Sequence, residues 1–123
     1  MSQPPTKNPR RGEIWRVQLD PVRGAEQGKT RPVLVLSQPP IGRPTVRLCA
    51  IVTNHKPEHQ LMVWCVTLQP DANNGLTKDS TADTAQTRAL DIDRFEAKLG
   101  HVSKSKLDEV KSALIAAIGG APP

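Results

Sequence analysis

The chain has 123 residues, which suits one domain with a modest core and leaves little room for several large units. Two Trp, one Phe and no Tyr exclude recognition built mainly on aromatic stacking. The net charge of +5 is uneven, +7 over residues 1–56 and −2 over the remainder; it points to an anionic partner, nucleic acid first, beside the plainer reading of a protein with a basic flank.

Taken in chain order, "MSQPPTKNPR" (1–10) reads as a disordered arm, because proline and charge cannot form a core. It has no apolar stretch of the kind a secretory signal needs. "IWRVQLD" (14–20) alternates: Trp15, Val17 and Leu19 face one side, and Ile14, Arg16, Gln18 and Asp20 the other, as in a half-buried strand. "GAEQGKT" (24–30) is a loop, and "RPVLVLS" (31–37) is a continuously apolar, more deeply buried strand. Pro32 lacks an N–H, so it is expected at that strand's start or on an edge. "QPPIGRP" (38–44) is a turn. "TVRLCAIVT" (45–53) and "LMVWCVTL" (61–68) are further strands, joined by "NHKPEHQ" (54–60). "QPDANNGLTKDS" (69–80) is a long polar loop, "TAQTRALDI" (84–92) a fifth strand, and "DRFEAKL" (93–99) a short helical turn ended by Gly100. Ser103 then caps an amphipathic helix with Leu107, Val110, Leu114 and Ile118 on one stripe, and Gly119 stops it. "GGAPP" (119–123) is a flexible tail.

About five short sequential strands followed by one helix predict a mainly β protein with a C-terminal α-helix, folded as a small, partly open barrel. The apolar run 113–118 is far too short to span a bilayer. Cys49 and Cys65 sit in apolar runs and read as small buried hydrophobes, with nothing requiring a disulfide. A cytoplasmic, reducing location with no membrane association is the expectation.

Four groups of residues could carry chemistry. In the loop 24–31, Gly24 and Gly28 permit close backbone approach, and Lys29, Thr30 and Arg31 could hold a phosphate; the alternative is a loop whose glycines only turn the chain. Thr53, beside Asn54 at a strand end, could donate to a phosphate or merely cap the strand. His55 and His59 could be an acid–base pair, could join a cysteine at a metal, or could be ordinary residues of a solvated loop; no Cys-x2-Cys pair supports zinc. Asp79, Ser80, Gln86 and Arg88 could line a groove or only hold a long loop together.

"RGEIWRVQLDPVRGAEQGKTRPVLVLS" (11–37) resembles the opening of the MazF/PemK family of toxin endoribonucleases, with its Asp-Pro turn, Gly-x-Glu-Gln-Gly and Arg-Pro before an apolar strand. "LCAIVTN" (48–54), "NGLTKDSTADTAQTRALDIDRF" (74–95) and "KLGHVSKSKLDEVKSAL" (98–114) are similar to later family segments in the same order. The resemblance covers residues 11–118 as a single domain. It implies an SH3-like barrel, a homodimer, metal-independent and cofactor-free cutting of single-stranded RNA, and inhibition by a cognate antitoxin. It places the catalytic arginine on Arg31 and the catalytic threonine on Thr53. Glu26, Gln27 and Gly28 match the loop beside the site, and Gln86 and Arg88 match residues near it. A gyrase poison of the CcdB type uses the same barrel and would not need the Arg31 and Thr53 pair; a plain RNA-binding barrel, which would bind without cutting, is a further alternative.

Overall fold

In a computed structural model, residues 7–19, 29–37 and 45–120 are described. Six strands appear in chain order: β1 (Glu13–Gln18), β2 (Thr30–Val35), β3 (Val46–Asn54), β4 (Cys65–Leu68), β5 (Ser80–Asp91) and β6 (Phe95–His101). The helix α1 (Lys104–Ala117) follows. All strands join one antiparallel sheet in the order β4-β5-β3-β2-β1-β6, which does not close on itself. The fold is thus mainly β with a terminal helix, as the sequence predicts.

Side chains of a strand alternate between faces, and here both faces are covered. Trp15, Val17, Val33, Val35, Cys49, Ile51 and Phe95 fill one core. Ile14, Leu34, Val52, Leu68, Ala82 and Val110 fill the other, beneath α1. The unbroken apolar run of β2 has this cause: Val33 and Val35 enter the first core and Leu34 the second. Trp15 and Phe95 meet edge to face with ring centroids 5.7 Å apart. Burial of each such side chain contributes about 1.5–3 kcal/mol.

Three expectations are corrected. Residues 93–99 are not a helical turn: a single 3-10 turn (Ile92–Arg94) leads into the strand β6. Its sequence favours helix, but pairing with β1, including Ile14 opposite Gly100 and Trp15 opposite Lys98, decides the conformation. The strand expected at 61–68 begins only at Cys65, because Pro57 opens a 3-10 turn (Pro57–Leu61). The fifth strand starts at Ser80, earlier than expected, since Ser80, Thr81 and Thr84 are buried despite their polarity.

The arm is likewise ordered where it is described. Lys7 Nζ donates to Phe95 O at 2.7 Å, Pro9 is fully buried, and Arg47 donates to Pro9 O at 2.8 Å and to Asn8 Oδ1 at 3.2 Å. At the other end, Ser103 Oγ accepts from Lys106 N, confirming the cap. Gly119 has φ +88, its N–H donates to Ala116 O, and that of Gly120 to Ile115 O. These are the two bonds of a Schellman stop, which favours glycine at the left-handed position. Val110 and Ala113 form the buried stripe of the helix, whereas Ile118 is exposed.

Glu13 ties the arm, β1 and β6 together. Its Oε1 accepts from Arg10 N at 2.8 Å and Trp15 Nε1 at 2.9 Å, and its Oε2 pairs with Lys98 Nζ at 2.8 Å. Burial pushes its pKa up, but these partners outweigh burial and hold the carboxyl below the usual glutamate range. A depressed carboxylate stabilises the fold above its unfolded pKa, and the effect is lost as pH falls through the folded value. Glu13→Gln should therefore cost about 1–2 kcal/mol at neutral pH in denaturant titrations. The difference from the parent protein should shrink as the pH drops below the usual glutamate range.

Burial pushes the Cys49 thiol up to about 12. Cys65 is also raised, first by burial and then by the Asp83 carboxylate beside it. Since the thiolate is the reactive form, alkylation of the native protein at pH 8 should modify Cys65 slowly and spare Cys49 until denaturant is added. Peptide mass mapping reads both rates.

Candidate active site

Strand pairing builds the site. β2 and β3 pair through Val33–Ile51, Leu34–Ala50 and Val35–Cys49, and the ladder stops there. Continued for two more residues in that register, it would set Arg31 directly opposite Thr53. Instead the strands part. Pro32 cannot donate a ladder hydrogen bond. Thr30, Arg31 and Pro32 stay paired with β1, while Thr53 and Asn54 stay paired with Thr81 and Ser80 of β5. A fork opens with Arg31 on one prong and Thr53 on the other, both half-buried.

Two cavities flank this fork, and Arg31 and Thr53 line both. The first has a volume of about 380 Å³ and adds Lys29, Gln86, Thr87 and Arg88. The second, about 510 Å³, adds Thr30, Asn54, Thr77, Lys78 and Ser80. Among the described residues, no acidic side chain lines either one. The arrangement offers a planar guanidinium, further cations and several hydroxyls, which is what a phosphodiester chain requires.

Most of the expected site residues converge here. Lys29, Thr30, Arg31, Thr53, Asn54, Ser80, Gln86 and Arg88 all line a cavity. Asp79 lines neither; its carbonyl accepts from His55 N at 3.1 Å. Glu26, Gln27 and Gly28 lie outside the described residues. The described residues on either side of them meet at a neck where Leu19 N donates to Lys29 O at 2.9 Å. Arg94 Nη1 braces that neck through Gln18 O and Leu19 O, each at 3.1 Å.

Gln86 and Arg88 reach the first cavity because β5 carries surplus residues. Ala50 pairs with Thr87 but Ile51 pairs with Asp83, so Thr84, Ala85 and Gln86 loop out of the ladder. Asp83 fixes this bulge by accepting from Ala85 N at 3.0 Å and Gln86 Nε2 at 2.9 Å. Thr84 holds the neighbouring chain through Trp64 O. Such a bulge redirects side chains without ending the strand.

Thr77, Lys78 and Thr87 were not anticipated. Lys78 arrives on the loop after Gly75, which packs against β6. Gly75 has φ +71, and a Cβ there would fall 2.1 Å from Leu99 O. On the other side, a Cβ on Gly100 would fall 2.1 Å from Asn73 O. The polar loop 69–80 is legible in the sequence, but its seat is not, because residues 93–99 read there as a helical turn.

The histidines do not enter the cavities. His55 Nδ1 and His59 Nδ1 both contact Thr81 Oγ1, at 2.9 and 3.0 Å. Among the described residues, no group of three or more His, Cys, Asp or Glu is placed to hold a metal ion.

A six-stranded open sheet with a terminal helix and a cation-lined fork defines a small, mainly β protein with a candidate anion-binding site. A family model described as PemK-like, MazF-like toxin of type II toxin–antitoxin system matches residues 10–118, and the chain belongs to that family. It is 31% identical over 112 residues to the endoribonuclease MazF9 of Mycobacterium tuberculosis, covering 85% of this chain and 92% of that protein. To the endoribonuclease MazF of Staphylococcus epidermidis it is 34% identical over 116 residues, covering 89% and 91%. A mycobacterial endoribonuclease solved in complex with its cognate antitoxin superposes with a TM-score of 0.71 at 20% identity, over 94% of this chain and all of that one, and shows the same fold.

Gly75→Ala should destabilise the protein by roughly 1–3 kcal/mol, because the positive φ is strained for alanine and the methyl meets Leu99 backbone. Thermal unfolding checks this. The same variant should weaken binding of a single-stranded oligonucleotide by moving Lys78, an effect that fluorescence anisotropy reads.

Proposed function

We propose that this family member acts as a sequence-specific endoribonuclease toxin that cuts single-stranded RNA through attack by the substrate's own 2′-hydroxyl. The reading is carried by Arg31 and Thr53, which form the common wall of two cavities lined by cations and, among the described residues, by no acid. It is supported by relatives named endoribonuclease at 31% and 34% identity.

In this reaction the 2′-oxygen bonds to phosphorus and the bond from phosphorus to the 5′-oxygen breaks. The products are a 2′,3′-cyclic phosphate and a 5′-hydroxyl. Negative charge grows on the non-bridging oxygens in between. Arg31 supplies the fixed fork and Thr53 a hydroxyl donor, both aimed where that charge develops. Arginine is a poor base at neutral pH, so the 2′-proton goes to another acceptor, for which Glu26 is the nearest carboxylate in sequence. The proton gained by the 5′-oxygen comes from Arg31 or solvent. No step calls for a metal or cofactor, and DNA lacks the nucleophile.

RNA then threads past both sides of the fork. Lys29 and Arg88 attract phosphates in one cavity and Lys78 in the other. Glu26, Gln27 and Gly28 support the substrate, as the family resemblance implies, and Asp79 holds the turn after β3 through its carbonyl. Residues 11–118 act as one domain. No helix among the described residues is long and apolar enough to cross a membrane. We place the protein in the cytoplasm, as a homodimer restrained by a cognate antitoxin. Exposed Leu61, Val63, Ile115 and Ile118 favour such assembly.

The test is incubation with single-stranded RNA in excess chelator. Discrete fragments ending in cyclic phosphate are expected, while the matching DNA survives. Arg31→Ala should slow cutting about 100-fold or more with an unchanged circular dichroism spectrum. Intact RNA with the parent protein, or full-rate cutting by folded Arg31→Ala, defeats the proposal.

A further inference from the structure

We infer that His55, Thr81 and His59 form a positioning group that keeps the Thr53 hydroxyl free for the scissile phosphate; this rests on the RNA-cutting reading above. Thr81 lies directly opposite Thr53 in the β3–β5 ladder and is completely buried. Directly opposed residues of antiparallel strands share a face with Cβ atoms about 5 Å apart, and opposed threonines commonly hydrogen-bond to one another. Here Thr81 turns elsewhere. Its Oγ1 sits 2.9 Å from His55 Nδ1 and 3.0 Å from His59 Nδ1, and the two rings meet edge to face at 5.8 Å.

A third contact engages one of these nitrogens: Lys56 N donates to His59 Nδ1 at 3.0 Å, so that nitrogen carries no proton and its single lone pair is already used. The Thr81 hydroxyl is held on the histidine side by both imidazoles and makes no hydrogen bond to Thr53. Among the described residues the Thr53 hydroxyl has no hydrogen-bond partner, and it lines both cavities. Neither histidine lines a cavity, so they act through Thr81 and not on RNA.

The consequence is unusual for a structural contact. Removing both imidazoles frees the Thr81 hydroxyl to turn and accept the Thr53 O–H across the ladder. His55→Ala/His59→Ala should lower kcat about tenfold with little change in KM. Adding Thr81→Val to that variant, which fills similar space without a hydroxyl, should restore most of the rate. Purely structural damage would leave the triple variant as slow as the double or slower, and that result overturns the inference; so does a double variant with the parent rate.

Imidazole 15N spectra of the full-length protein test the contacts apart from activity. Nδ1 resonances of both histidines that move in Thr81→Val support them, and unmoved resonances overturn them even in an active enzyme. A parent protein that leaves RNA intact fails the nuclease reading, and the positioning role falls with it.

Discussion

The early end of the β2–β3 ladder is the constraint on which the rest of the structure depends. Backbone hydrogen bonding fixes the register at Val33–Ile51, and that register brings Arg31 and Thr53 into line. Pro32 withholds a donor at the point where the strands separate. The site is therefore not a loop laid on a scaffold. Two rigid strands present it, each anchored on its far side by another strand, so the guanidinium and hydroxyl are set by the same bonds that hold the sheet.

Everything around the fork serves to shape its two flanks. The bulge of β5 turns Gln86 and Arg88 inward on one side. The interlocking of Gly75 with Leu99 and of Gly100 with Asn73 seats Lys78 on the other. The neck at Leu19 and Lys29, braced by Arg94, holds the ends of β1 and β2 together beside the fork. A sheet with cores on both faces can bear these irregularities, because Ile14, Leu34 and Val52 secure one side while Val17, Val33 and Ile51 secure the other.

The parts of the fold that were legible in sequence are those in which local pattern and tertiary demand agree. The alternation in 14–20, the β-branched run in 31–37 and the capped stripe of the helix all fall in this class. β6 was not legible: Ala97, Lys98 and Leu99 favour helix, and only the partner strand β1 overrides them. The start of β5 was hidden because buried Ser80 and Thr81 look like loop residues. Arg31 and Thr53 stand out by motif resemblance, and spacing alone leaves both with ordinary explanations. Lys78 carries no local signal, because the strand against which its loop packs does not read as a strand. The link from His55 and His59 to Thr81 crosses 26 and 22 positions, so no local signal could carry it.

The arm ahead of the recognisable family pattern bears on how the protein should be handled. Arg47 is almost entirely desolvated, and two of its acceptors, Pro9 O and Asn8 Oδ1, precede the pattern. A fragment trimmed to start at Arg11 would strip those acceptors from a charge with no access to water, a costly change for any interior cation. The boundary of similarity and the boundary of autonomous folding therefore differ, and the leading residues should be retained in any shortened version of the protein.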